Sequence, residues 1–148
     1  MKTTLLFLSV FLSANLFGQN VNIPDADFKA YLVENPEINT NNDTEIQLSE
    51  ATAFTGEIDL DELGITDLTG IEAFTALTEL YCSGNQLTTL DVSKNTALTD
   101  LECIYNELTS LDVSKNTALT ELYCYENQLT CVKGLPDGLK KADLKKCD

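Results

Sequence analysis

The 148-residue sequence contains no histidine, no arginine and no tryptophan, and it has only three prolines. Without histidine the chain lacks the side chain that most often serves as a general base or a metal ligand. Without arginine it lacks the planar cation that grips phosphate groups through paired hydrogen bonds. Together with a net charge of −15, these absences argue against an enzyme and against binding to nucleic acid or anionic lipid.

Long apolar runs are also missing after the first 18 residues. Segment 1–18 has one positive charge at Lys2, an apolar stretch and a small final residue, which is typical of a secretory signal peptide. Cleavage is predicted after Gly18, with Ala14 as the alternative. The apolar stretch is too short to span a membrane. We therefore expect a secreted monomer, extracellular or at the cell surface, that does not insert into a membrane.

Repetition is what the sequence has in abundance. Segment 91–99 recurs unchanged as 112–120, a shift of 21 residues, and segment 77–82 recurs as 119–124. A fixed period of this length indicates a repeat architecture. Aligning the copies gives six columns, each of one chemical type. The columns are Leu77, Leu98 and Leu119; Leu80, Leu101 and Leu122; Cys82, Cys103 and Cys124; Asn85, Asn106 and Asn127; Leu87, Leu108 and Leu129; and Leu90, Leu111 and Val132.

The columns read L-x-x-L-x-C-x-x-N-x-L-x-x-L, which resembles the leucine-rich repeat of secreted, internalin-like bacterial proteins. The resemblance implies an α/β solenoid, a right-handed superhelix in which each coil adds one strand to a parallel concave sheet. A single coil cannot bury its own leucines, so stacked coils must share one core. The four predicted coils are 57–76, 77–97, 98–118 and 119–134.

Segments on either side of the coils are predicted to cap the solenoid. The N-terminal cap, 19–56, should begin with a short helix between Pro24 and Pro36. The C-terminal segment, 135–148, is predicted to be a helical or frayed cap or tail. Terminal caps are needed because an uncovered coil would expose its apolar columns to water.

Within the N-terminal cap, residues 39–50 are similar to the calcium loop of EF-hand and dockerin-like proteins. Thr44 stands where those loops have the glycine that makes the turn, and only two carboxylates occupy ligand positions. The sequence therefore leaves two alternatives, weak calcium binding or a loop that keeps the shape without the ion. The ligands implied by the resemblance are Asn39, Asn41, Asp43, the carbonyl of Glu45, and Glu50.

The asparagine column is predicted to bond backbone groups of its own coil and of the next one, because an amide both donates and accepts. The alternative is that these are surface turn residues, since turns favour asparagine. In the first coil Leu63 takes the place of this asparagine, and Phe74 takes the place of Asn95 and Asn116. Both apolar residues are predicted to face the cap.

Five cysteines in an exported chain suggest disulfides. The three in the repeat column occupy core positions, where a free cysteine behaves as a small apolar residue. Stacked strands lie about 4.8 Å apart, whereas bridged Cβ atoms average about 3.8 Å, so we expect no bridge within the column. Cys131 and Cys147 remain, and we hypothesise a disulfide between them that closes the end of the solenoid.

In the leucine-rich-repeat fold the outward side chains of the strands form the concave binding face. Tyrosine offers a large contact area at low ordering cost, so an acidic strip with tyrosines predicts a partner-binding surface. The resemblance implies a module that binds a protein with basic groups, or a glycan. The alternative is a calcium-linked structural or adhesin fragment without a dedicated partner site. The predicted partner-binding residues are Glu79, Tyr81, Asp100, Glu102, Tyr105, Glu121, Tyr123 and Tyr125. No cofactor other than calcium is expected.

Overall fold

The structure is a computed structural model that describes residues 18–142 and the side chains up to residue 140. The predicted signal peptide lies outside these residues, apart from Gly18, and so does Cys147. In the part of the chain described, no helix is long and apolar enough to cross a bilayer.

The described residues form two helices, one short 3₁₀ turn and five short strands, in the order helix, helix, strand, turn and four strands. The helices occupy the N-terminal cap, and each repeat coil contributes one three-residue strand. The elements are α1 Ala26–Glu34, α2 Leu48–Ala53, β1 Glu57–Asp59, the 3₁₀ turn Ile71–Ala73, β2 Glu79–Tyr81, β3 Asp100–Glu102, β4 Glu121–Tyr123 and β5 Lys141–Ala142.

The five strands lie in one parallel sheet in sequence order, which confirms the predicted solenoid with one strand per coil. The register places Ile58, Leu80, Leu101 and Leu122 opposite one another. All four side chains are fully buried. The alternation of strand side chains sends these residues to one face of the sheet, where they form a single continuous core with the other leucine columns.

Asparagines hold the coils together at the end of each strand. Asn106 Nδ2 donates to the carbonyls of Cys82, Cys103 and Ile104, and its Oδ1 accepts from the amide of Leu87. Asn85 and Asn127 make the equivalent bonds one coil earlier and one coil later. The interpretation of this column as an inter-coil bridge fits these bonds, and the surface-turn alternative does not.

A second asparagine column runs along the opposite side of the core. Asn95 Nδ2 donates to the carbonyls of Ile71 and Phe74, and Asn116 Nδ2 donates to those of Val92 and Asn95. Both side chains are fully buried, and the Oδ1 atom of each has no hydrogen-bond partner. This column therefore pairs buried backbone carbonyls with hydrogen-bond donors but leaves its own side-chain oxygens unpaired.

The N-terminal cap covers the first coil through three contacts. The phenolic oxygen of Tyr31, on α1, accepts from the amide of Asp59 and so satisfies a donor on the outer edge of the sheet. The ring of Phe54 packs edge-on against Phe74 with centroids 6.3 Å apart. Asp25 caps α1 with one carboxylate oxygen and accepts from Thr66 and Asp67 with the other. One carboxylate thus joins the cap helix to the first coil.

Three features differ from the sequence-based expectations. Lys141–Ala142 forms strand β5 and extends the sheet, where a helical or frayed tail was predicted. This register is possible because Leu139, two residues before the strand, takes up the repeat position of Leu119. Leu63 is 40% exposed and does not face the cap, whereas Phe74 does. Helix α2 was not predicted at all.

Candidate functional site: the concave face

The concave face consists of the outward side chains of β1 to β4 and the residues that follow each strand. The residues directly opposite one another at the start of the strands are Glu57, Glu79, Asp100 and Glu121. Those at the end of the strands are Asp59, Tyr81, Glu102 and Tyr123. The register therefore creates one column of carboxylates beside a second column in which carboxylates alternate with tyrosines.

The tyrosines of the second column bond to the carboxylates of the first. Tyr81 Oη donates to Glu79 Oε2 at 2.9 Å, and Tyr123 Oη donates to Glu121 Oε2 at 3.2 Å. Burial, the bond to Glu79 and nearby carboxylates raise the pKa of Tyr81. Each of the two rings is therefore held in place by a hydrogen bond to the carboxylate two residues before it.

Burial, together with the crowding of like charges, raises the pKa of two carboxylates of the face. Burial raises the pKa of Glu102, and repulsion from Asp100, Asp61, Glu121 and Asp59 raises it further. Burial and repulsion from Asp59 and Glu62 also raise the pKa of Asp61, against the opposing effect of a bond from the Ser83 amide. While Glu102 and Asp61 are ionised, they repel the neighbouring carboxylates. A cation bound at the face would relieve this repulsion.

A rim of left-handed residues borders the face immediately after the strands. It consists of Glu62, Gly84, Tyr105 and Glu126, one per coil, with φ values of 59°, 68°, 52° and 53°. The aromatic rings of Tyr105 and Tyr125 meet edge-on with centroids 6.1 Å apart, and they are 60% and 43% exposed. Sequence reasoning placed both tyrosines on the face, and the one sign of the left-handed backbone at Tyr105 was the glycine at the aligned position, Gly84.

The structure brings all eight predicted partner-binding residues to this surface, on three neighbouring strands and the rim. Sequence reasoning missed Glu62 and Gly84 as part of it. The spacing of 22 and 21 residues that aligns them with Tyr105 was readable from the sequence. The sequence could not show that Glu62 and Gly84 lie on the same side of the sheet as the outward strand side chains.

The five predicted calcium ligands lie in one loop, but the oxygens of four of them, all except Asn39, accept hydrogen bonds from donors of the protein. Gln47 Nε2 donates to Asp43 Oδ2 at 3.0 Å and to the carbonyl of Glu45 at 3.4 Å. Glu50 Oε1 accepts from the amides of Thr40 and Asn41, and Oε2 accepts from the amide of Gln47. In this arrangement the residues fit a calcium ion poorly, because the Gln47 amide stands among the atoms that would bind it.

Two further contacts close the same loop. Asn39 Nδ2 donates to the carbonyls of Val33 and Asp43, while its buried Oδ1 has no partner. Lys29 Nζ lies 2.7 Å from Glu45 Oε1. Among the described residues there is no group of three or more acidic or cysteine side chains that could hold a metal ion. Glu50 instead forms a capping box with Gln47 at the start of α2.

The three cysteines of the repeat column are free thiols in the core, one per coil, as predicted. Burial raises the pKa of Cys82 and Cys103, so both stay protonated and apolar. Cys82 Sγ also donates to the carbonyl of Glu102 in the next coil at 3.3 Å. The disulfide between Cys131 and Cys147 stays a prediction, because Cys147 lies outside the described residues.

No protein-family model matches the chain. It is 44% identical over 73 residues to Internalin J of Listeria monocytogenes serotype 4b (strain F2365), a match that covers 49% of this chain and 8% of that protein. The chain therefore spans a small part of the length of this curated relative.

Solved structures that resemble the fold include two from Listeria monocytogenes. One is the functional domain of InlJ from Listeria monocytogenes, described as including a cysteine ladder. It superimposes with a TM-score of 0.69 and 34% identity, over 87% of this chain and 29% of that one. The other is an internalin (inlF) from Listeria monocytogenes str. 4b F2365, with a TM-score of 0.65, 21% identity, and coverage of 89% of this chain and 43% of that one. The second likeness concerns the fold alone.

Proposed function

We propose that this chain, an internalin-like leucine-rich-repeat protein, is a secreted binding module that holds a protein partner with basic groups on its concave face. The observation that carries the proposal is the contrast between columns. From residue 77 on, each inward column keeps one chemical type, whereas the outward column at the strand ends alternates between carboxylates and tyrosines, and the face as a whole contains four of the five tyrosines. Variation confined to one face of a repeat sheet is expected where recognition, rather than packing, selects the side chains.

Charge supports the basic character of the partner. The face has carboxylates on all four of its strands, and the pKa of Glu102 is raised first by burial and then by its acidic neighbours. A partner with lysines or arginines would relieve this repulsion on binding and would be steered to the face over a distance of about 10 Å at ordinary salt. A neutral glycan would bring no such relief, so we favour a protein.

The proposal is tested by affinity capture with residues 19–148 as bait, followed by measurement of each candidate's affinity in solution. The double variant Tyr81→Ala/Tyr123→Ala removes the two held rings from the face. The matched control, Thr96→Ala/Thr117→Ala, changes two exposed positions in turns outside the sheet. A true partner loses affinity for the first variant, keeps it for the second, and binds more weakly as salt is raised. Equal affinity for both variants would contradict the proposal.

Calcium binding, and with it the alternative of a calcium-linked structural fragment, stays a prediction that the loop contacts do not favour. Thermal unfolding of residues 19–148 with calcium and with a chelator decides it. A rise in the melting temperature with calcium that is absent in Asp43→Ala would establish the site. If calcium changes the melting temperature of neither the wild type nor Asp43→Ala, the loop is held closed by Gln47 and Lys29 without the ion.

A further inference from the structure

The concave face changes in chemistry from one end of the solenoid to the other. In the first coil, the three outward positions and the rim position all hold exposed carboxylates. They are Glu57, Asp59, Asp61 and Glu62. Partial burial raises the pKa of Asp61, and a hydrogen bond from the Ser83 amide opposes this change. Repulsion from Asp59 and Glu62 raises the pKa further, so these carboxylates lie near enough to repel one another.

Apolar and aromatic residues occupy three of the four positions that follow the strands of the third and fourth coils. They are Ile104, Tyr105 and Tyr125, and the fourth is Glu126. The two tyrosines are 60% and 43% exposed, and their rings meet edge-on with centroids 6.1 Å apart. The Tyr105 amide donates to the carbonyl of Tyr125, so the alignment of the coils continues past the strands. The column at the start of the strands stays acidic, and the two ends of the face differ in the positions beyond it.

Folding alone does not require the two exposed rings. The second coil has Gly84 and Ser83 at the positions of Tyr105 and Tyr125, and its strand pairs in the same register. Tyr105 also has a φ of 52°, in the left-handed region that glycine adopts freely and a bulky side chain rarely adopts. A partner that covered the rings would remove aromatic surface from water, which is favourable.

We infer that the partner presents a segment with two unlike halves, basic side chains over the first coil and apolar side chains against Tyr105 and Tyr125. Adjacent coils are about 4.8 Å apart, so the first and fourth coils are about 14 Å apart, and an extended segment of about five residues covers that distance. The inference rests on the proposed function and deepens it, because it fixes which part of a basic partner lies at which end of the solenoid.

The test uses fluorescein-labelled hexapeptides and fluorescence anisotropy with residues 19–148. Two block peptides have three lysines and three leucines in either order, because side chains alone do not fix the direction of the bound chain. A third peptide alternates lysine and leucine, with the same composition and charge. The tighter-binding block peptide should bind about fivefold more tightly than the alternating peptide, which corresponds to burial of roughly 40 Å² of additional apolar surface.

Two double variants separate the two halves of the segment. Tyr105→Gly/Tyr125→Ser gives the third and fourth coils the residues that the second coil has at these positions. It should weaken binding of the block peptide about fivefold, with the same dependence on salt as the wild type. Glu57→Gln/Glu62→Gln removes two charges from the first coil. It should weaken binding at low salt and make the affinity less dependent on salt.

The matched control for charge is Glu37→Gln/Glu107→Gln, which removes two exposed carboxylates outside the face. It should leave the affinity within about twofold of the wild type at ordinary salt. Equal affinity for block and alternating peptides, or an unchanged affinity in the tyrosine variant, would overturn the inference and leave the basic partner intact. Failure of the wild type to bind any of the three peptides would overturn the basic partner as well.

Discussion

The two faces of the same short strands have opposite relations to the stability of the fold. On the inward face, residues such as Leu80 and Leu101 are fully buried, and the side-chain amides of Asn85 and Asn106, which follow β2 and β3, both donate and accept hydrogen bonds. On the outward face, carboxylates crowd one another and Tyr105 has a strained backbone. Because both faces share one backbone register, the difference comes from the side chains alone. The inward face stabilises the solenoid, whereas the outward face lowers its stability.

Acidic residues show the same division through the sign of their pKa changes. On the concave face the pKa of Glu102 is raised, so its ionised form opposes folding, and this opposition is relieved as pH falls through its raised pKa. Elsewhere, hydrogen bonds from Thr66, Phe28 and Asp67 outweigh the effect of burial and lower the pKa of Asp25. Its ionised form therefore stabilises the fold above the unfolded pKa, and this contribution is lost as pH falls through the lowered value.

The largest expected effect is on the inward face of the central repeat strand. Leu101→Ala removes a fully buried side chain between Leu80 and Leu122, and it should lower the free energy of unfolding by about 2–5 kcal/mol. Urea unfolding followed by circular dichroism measures it. The adjacent outward residue gives the control, since Glu102→Ala should not destabilise the chain. Similar losses from both variants would remove the distinction between the faces.

Asn106→Ala should have the next largest effect. It leaves the Leu87 amide and up to three carbonyls without the side chain that bonds them, at a cost of about 2–3 kcal/mol. The exposed neighbour Thr109→Ala serves as the control. An unchanged melting temperature for Asn106→Ala would show that water replaces the amide, which would favour the turn alternative for this column.

A smaller effect is expected from relief of the left-handed backbone at Tyr105. Tyr105→Gly should be more stable than Tyr105→Ala by about 1 kcal/mol, because both variants lose the ring and only glycine relieves the left-handed backbone. Urea unfolding of the two variants side by side gives the difference. Equal stability of the two would indicate that the backbone at this rim position carries no strain.

The smallest expected effect is a gain from the removal of one charge on the face. Glu102→Gln should raise the free energy of unfolding at neutral pH by about 0.2–1 kcal/mol, the range for like charges across neighbouring strands. The gain should vanish below the raised pKa of Glu102, where the wild-type side chain is also neutral. Glu107→Gln, an exposed carboxylate outside the face, is the control. A gain that persists in acid would assign the effect to packing rather than to repulsion.

The inward half of this division could be predicted from the sequence. In the three coils that begin at residue 77, the leucine, cysteine and asparagine columns each keep one chemical type, with Val132 as the one change of residue. Coils in the same register bury these columns in one shared core. The alternation of strand side chains also placed Glu79, Tyr81, Asp100, Glu102, Glu121 and Tyr123 on the outward face, where their role in partner binding stays a prediction. Sequence reasoning failed at Leu63, where the first coil departs from the repeat, and at α2, whose six residues carry too few apolar positions to show a helical period.

The geometry of the loops could not be predicted. Gln47 was not recognised as a member of the EF-hand-like loop, because its contacts with Asp43 and Glu45 depend on how the loop folds back on itself. The left-handed backbone of Tyr105 was equally hidden, although Gly84 at the aligned position was a usable signal. Strand β5 was missed because it is only two residues long and has Ala142 at the position that Leu122 occupies in the preceding strand.

The most direct test of the division is the free energy of unfolding of a triple variant, Glu57→Gln/Glu79→Gln/Asp100→Asn, which neutralises three aligned carboxylates of the outward face. The account predicts an unchanged circular dichroism spectrum and a urea midpoint above that of the wild type. A midpoint below that of the wild type would show that these carboxylates help to build the solenoid, and it would contradict the account.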